Sequence, residues 1–144
     1  MYWVSYPNTS AETPPRGTLS TSKQNPTEAE LVLRLVRPYL GHRCVMVVTF
    51  YKAQVELIRA LLLQQGIPEG DRLRICSVDQ SQGSEADVVI LSCVRSNPLC
   101  EKGFVTNPNR LNVAVSRARE RLVIVGDADT LGGDRNWQAL HGRC

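Results

Sequence analysis

The chain has 144 residues, enough for one domain with a real core. Hydrophobic residues make up 42% and charged residues 22%, ordinary for a globular protein, and a formal net charge of +3 is too small to establish a nucleic-acid partner. Five cysteines without a C-x-x-C pair suit neither a disulfide framework nor a zinc site. Cys44, Cys76 and Cys93, in or beside apolar runs, are expected to be buried free thiols in a reducing compartment.

The first ten residues, "MYWVSYPNTS", lack the basic and apolar regions of a secretory signal. Residues 1–24 are rich in Ser, Thr, Pro and Asn and read as a surface-lying, partly disordered lead-in. Asn25-Pro26-Thr27-Glu28 then has the form of a helix start, with Asn25 as N-cap, Pro26 at the first helical position and Glu28 at the third. The apolar rows of Leu31, Val32, Leu35 and Val36 continue it until Pro38. "CVMVVTF" (44–50) is a continuous β-branched run, as expected of a strand buried on both faces. Residues 54–65 predict a helix stopped by Gly66, and 73–78 and 88–94 predict two further strands. Residues 109–119 predict a helix and 122–127 a last strand. A terminal tail, 128–144, carries a short helix around Trp137 to Leu140. The alternation gives an α/β fold with a mainly parallel sheet flanked by helices, in one domain over 25–127. No apolar run approaches the roughly 20 residues needed to cross a bilayer.

In open parallel sheets, function gathers beyond the carboxyl ends of the strands. The polar segment 79–87, with Gly83 inside it, is expected there, able to bring backbone N–H groups and an acid close to a ligand. A tight turn capped by Glu85 or Asp87 explains the same residues equally well. On a helix from Asn109, Arg110 and Arg117 share a face and Arg121 falls one turn further. A guanidinium fork suits a phosphate oxygen that gains charge during transfer, while a solvated arginine face near a helix C-terminus is the alternative. No G-x-x-x-x-G-K-[ST] occurs. Asp127 reads as a strand end, and His42 and His141 lack triad or ligand neighbours, so self-contained nucleophilic or metal catalysis is not expected.

Three segments together carry a family resemblance. "VMVVTFYKAQ" looks like helicase motif IV, "VDQSQGSEADVVILSCVRSN" like motif V with its V-D-x-x-Q-G-x-E-x-D pattern, and "NRLNVAVSRARERLVIVGD" like motif VI. "NPTEAELV" matches the N-x-x-E-A that opens the same domain. In this order, over about residues 20–127, they resemble the second RecA-like domain of superfamily 1 helicases, in the branch containing the nonsense-mediated-decay RNA helicase. The resemblance implies that Arg117 is an arginine finger reaching the ATP γ-phosphate across a cleft. Glu85 would accept a hydrogen bond from the ribose, and Gln82 and Gly83 would shape the cleft wall. It offers Thr49, Ser77 and Arg95 as contacts to a nucleic-acid backbone.

The implied cofactor is ATP with magnesium, whose ligands belong to a first RecA-like domain. The implied partners are that domain, in cis or in trans, and single-stranded RNA or DNA, with no membrane, in an intracellular setting, cytoplasmic or nuclear. Two positions depart from the pattern: Phe50 stands where motif IV usually has proline, and Ser84 where relatives often carry arginine. The P-loop is absent, so the chain alone is expected to be inactive. The competing reading is a non-catalytic nucleic-acid- or protein-binding module derived from a truncated helicase. An unrelated nucleotide-binding α/β domain is disfavoured, because no G-x-G-x-x-G follows a strand.

Overall fold

Each apolar run becomes one strand of a wholly parallel sheet. The computed structural model describes residues 1–6, 12–15 and 21–144. In chain order these are β1 (Tyr2–Val4), α1 (Pro26–Val36), β2 (Val45–Thr49), α2 (Lys52–Gln64), β3 (Leu73–Ser77), β4 (Ala86–Ser92), α3 (Pro108–Val115), β5 (Ala118–Val125), α4 (Ala128–Leu131) and α5 (Arg135–His141). The strands lie in the order β1-β5-β4-β2-β3. Val45, Val47, Val88, Ile90, Val123 and Val125 face α1 and α2, against Val32, Val36, Ile58 and Leu62. Their alternates Met46, Val48, Val89, Leu91, Leu122 and Ile124 face Leu111, Ala114, Leu131 and Trp137. Two covered faces explain why the strands read as unbroken apolar runs rather than alternating ones.

Asn25 caps α1 as expected, its side chain accepting from Glu28 N at 3.1 Å. The reciprocal half of a capping box is missing. Glu28 turns into the protein, and Gln54 Oε1 accepts from Asn25 N instead, at 2.8 Å. At the other end of the chain, Asp127 accepts from Asp129 N and Thr130 N and caps α4. Trp137 is buried, donating from Nε1 to Val105 O at 2.9 Å and meeting Trp3 edge to face at 5.8 Å. Residues 128–141 therefore cover one face of the sheet.

The structure differs from the sequence reading in three local respects. Tyr2–Val4, within the stretch read as a lead-in, pairs in parallel with β5, and Tyr6 is buried. Thr13 and Gln24 form an antiparallel bridge, while 7–11 and 16–20 lie outside the described residues. The helix predicted to reach Arg119 ends at Val115. Ala118 already pairs with Ala86, and Ala86 N donates to Arg117 O at 3.1 Å, so the sheet ladder takes over the backbone that the helical pattern claimed. Cys44 is exposed rather than buried, because it precedes β2 and its N–H donates to Asp87 Oδ2. Cys76 and Cys93 are buried, and burial pushes both thiols up. Among the described residues no helix is long and apolar enough to cross a membrane.

Candidate functional site

The candidate residues fall on two opposite edges of the sheet. The segment after β3 starts at the carboxyl edge with a turn of 3-10 helix, Asp79–Ser81, and crosses to the amino edge, where Glu85 precedes β4. Only its beginning lies where the strand-end rule placed it, because β4 is parallel to β3 and the chain must return before it can start. Arg74 holds the crossover, donating from Nη1 to Ser84 Oγ at 2.7 Å and from Nη2 to Gln80 O at 3.0 Å. Gly83 has φ +79 and open space around it, so its backbone angle, not crowding, is what calls for glycine. Gln82 and Gly83 are both exposed.

Arg117 occupies the turn between α3 and β5. The pairing of Ala86 with Ala118 sets Glu85 and Arg117, each one residue upstream, side by side at the amino edge. The Arg117 guanidinium donates from Nε to Val113 O at 2.9 Å, from Nη1 to Ser84 O at 3.2 Å and from Nη2 to Ser116 Oγ at 3.0 Å. All three acceptors are neutral, and among the described residues it pairs with no carboxylate, so its full charge remains for an anion. That environment fits a phosphate. Glu85 is exposed and meets Arg119 Nε at 3.1 Å, so a ligand hydroxyl would share it with that arginine. No group of three His, Cys, Asp or Glu that could hold a metal occurs among the described residues.

The carboxyl edge bears a groove of about 640 Å³ between the start of α2, the start of α3 and the strap of residues 12–15 and 21–24. Phe50, Tyr51, Lys52, Ser77, Phe104 and Arg110 line it. Phe104 is half exposed, 5.8 Å from the Tyr51 ring and 5.8 Å below the Arg110 guanidinium. Arg110 pairs twice with Asp79, at 3.2 and 3.0 Å. The three arginines grouped on one helical face are thus separated: Arg110 at the groove, Arg117 in the turn, and Arg121 on β5, between Tyr2 and Tyr39.

Of the residues expected near nucleic acid, Ser77 lines the groove, its hydroxyl 3.2 Å from Gln80 Oε1. Thr49 is 0% exposed and Arg95 6%, so neither presents its side chain to the groove surface. Thr49 Oγ1 lies 3.5 Å from Tyr51 N, and Arg95 Nε donates to Glu12 Oε2 at 2.8 Å. Behind them lies a group the sequence did not reveal. Glu28 accepts from Tyr6 OH at 2.6 Å, Ser92 Oγ at 2.6 Å and Val94 N at 2.8 Å. Burial pushes its carboxyl up to about 7, against the opposing pull of the donors from Ser92, Tyr6 and Val94. Lys52 and Phe104 were also missed. No local spacing marks them, since only the folding together of α2, α3 and the strap makes the groove.

Comparison with known proteins gives the family and the fold. The model of the AAA domain family matches residues 1–129. The DNA polymerase alpha-associated DNA helicase A of Schizosaccharomyces pombe is 41% identical over 114 residues, covering 76% of this chain and 17% of that protein. Regulator of nonsense transcripts 1 of Caenorhabditis elegans is 38% identical over 127 residues, covering 83% of this chain and 12% of that protein. The chain thus spans less than a fifth of the length of these relatives. The crystal structure of the C-terminal domain of a possible DNA helicase from Lactobacillus plantarum WCFS1 superposes with a TM-score of 0.56 at 16% identity, covering 88% of this chain and 73% of that one, and shares the fold. The chain belongs to the AAA domain family, as the second RecA-like domain of a superfamily 1 helicase in the branch that contains the nonsense-mediated-decay RNA helicase.

Proposed function

We propose that this chain is the second half of an ATP-dependent helicase motor, completing a nucleotide site with a first RecA-like domain and guiding a single strand of RNA or DNA along its carboxyl edge. The observation that carries the reading is the pairing of Ala86 with Ala118, which brings Glu85 and Arg117 together at one edge, with no carboxylate on the arginine among the described residues. ATP supplies the γ-phosphate to be transferred to water, its magnesium held by the first domain. Arg117 would direct its guanidinium to the phosphate oxygens as they gain charge, from a site whose neutral acceptors leave that charge unspent. Glu85 would accept from the ribose, and Gln82 and Gly83 would border the cleft. On the other edge, Lys52 and Ser77 would meet the strand's backbone and Phe50 and Phe104 its bases, a combination that suits binding without a base code. Thr49 would support that surface from beneath.

ATP turnover measured with and without single-stranded RNA tests the reading. The chain alone should show none. A longer protein that also carries a first RecA-like domain should turn over ATP, and Arg117→Ala should lower its rate by roughly 10³ to 10⁵. Turnover by the isolated chain, lost in Arg117→Ala, would overturn the half-site account. Strand binding by the longer protein with no turnover under any condition would favour the non-catalytic binding module.

A further inference from the structure

Val94, two residues beyond β4, has φ +72, a conformation that a β-branched residue rarely adopts. Arg95 N donates to Cys93 O at 2.9 Å, closing a three-residue turn around it. The turn is held from both sides: Glu28 Oε2 accepts from Val94 N at 2.8 Å, and Asn25 Nδ2 donates to Val94 O at 2.9 Å. Strained backbone of this kind persists only where its surroundings over-determine it, and it gathers at functional sites.

The strained turn aims the next three residues at one point. Arg95 Nε at 2.8 Å, Ser96 N at 2.9 Å and Asn97 Nδ2 at 3.2 Å all donate to Glu12 Oε2, and Lys23 Nζ lies 4.0 Å from Glu12 Oε1. A guanidinium, a backbone N–H and an amide converging on a single oxygen are the parts of an anion site. The site adjoins the groove. A Cβ built on Gly103 would overlap Arg95 Nη1 and come within 3.0 Å of Tyr51 OH, and Tyr51 and Phe104 are groove walls. The donors are fixed to the end of β4 by the buried clamp, whereas Glu12 arrives on the strap, which among the described residues is tied by the Thr13–Gln24 bridge and by Ala53 N donating to Ser22 Oγ.

We propose that Arg95, Ser96 and Asn97 form a phosphate site of the groove which the chain fills with its own Glu12, so that a strand's phosphodiester must displace that carboxylate to enter. The inference rests on the groove reading above. Carboxylate and phosphodiester each carry one negative charge and accept the same donors, so one replaces the other without a change in net charge. Glu12 therefore lowers affinity for a strand and hides one phosphate contact from the salt dependence.

Anisotropy of a labelled oligouridine, titrated at several salt concentrations with wild type, Glu12→Gln and the double variant Glu12→Gln/Arg95→Gln, tests this. Glu12→Gln should bind several-fold tighter, with log K against log salt steeper by about 0.7, the increment of one added phosphate contact on a single strand. The added Arg95→Gln should cancel both changes. A folded Glu12→Gln protein with wild-type affinity and slope overturns the proposal and leaves Glu12 as a structural ion pair. If Glu12→Gln does not fold, the Ser96 amide and Arg95 Nε–H resonances of the wild type are followed during the same titration, and resonances that stay in place overturn it equally. Strand binding that depends on Lys52 and Phe104 but not on Glu12 refutes this site and keeps the groove. Inorganic phosphate moving the Ser96 amide of Glu12→Gln, in a protein that holds no strand, keeps the site and refutes the groove.

Discussion

Replacing Glu28 with glutamine takes one oxygen acceptor from a buried carboxylate that receives three donors. The Tyr6 hydroxyl already accepts from Asn25 Nδ2 at 2.8 Å and the Ser92 hydroxyl from Gln54 Nε2 at 3.1 Å, so both hydroxyl protons are directed at Glu28, and Val94 N can only donate. Whichever way the new amide sits, its NH₂ meets a donor. One orphaned buried donor costs about 1–3 kcal/mol, and the remaining bonds lose their charge assistance, about 1 kcal/mol each. Relief of the buried charge returns part of this, leaving a destabilisation of about 2–4 kcal/mol at pH 7. Against a domain stability of about 5–15 kcal/mol, that is large. Urea unfolding followed by the fluorescence of Trp3 and Trp137 measures it. A change below about 0.5 kcal/mol would mean that the Glu28 network does not constrain the fold.

The same carboxyl sets a pH dependence. Its folded value of about 7 lies above the ordinary 4.5, so between those limits the unfolded chain releases a proton that the folded chain retains. This group's contribution to stability therefore falls as pH rises from about 4.5 to 7 and levels above. The gap between wild type and Glu28→Gln should narrow across that window, and denaturation at pH 5, 6 and 7 checks it. Gly103→Ala places a methyl group against Arg95 at φ +57 and should destabilise by more than about 1 kcal/mol, seen as a lowered melting temperature. Trp137→Ala removes a buried indole and its bond to Val105 O and should cost about 3–5 kcal/mol in urea unfolding, if the terminal helices are part of the core. Phe104→Ala, at a half-exposed ring, should weaken single-strand binding by about 1–3 kcal/mol, measured by anisotropy, with the melting point unchanged.

What could be read from the sequence was what short-range pattern controls. The unbroken runs of β2 and β4 required a sheet covered on both faces, because a strand exposed on one side alternates. Asn25 and Pro26 marked a helix start, since capping is settled within four residues. The motif segments around Glu85 and Arg117 were legible for the same reason, each being contiguous. Where those segments lie was decided only by the tertiary structure. Parallel pairing of β3 with β2 and of β2 with β4 carries Glu85 away from the carboxyl edge, and β5 claims Arg119 from the predicted helix because a ladder partner outweighs helical spacing. Bonds from Glu28 to Ser92, or from Glu12 to Arg95, join residues 64 and 83 positions apart, a separation that leaves no periodic trace. Nothing local distinguishes a buried glutamate at the third helical position from an exposed capping one. Only the three donors brought together by Tyr6, Ser92 and Val94 make that burial tolerable.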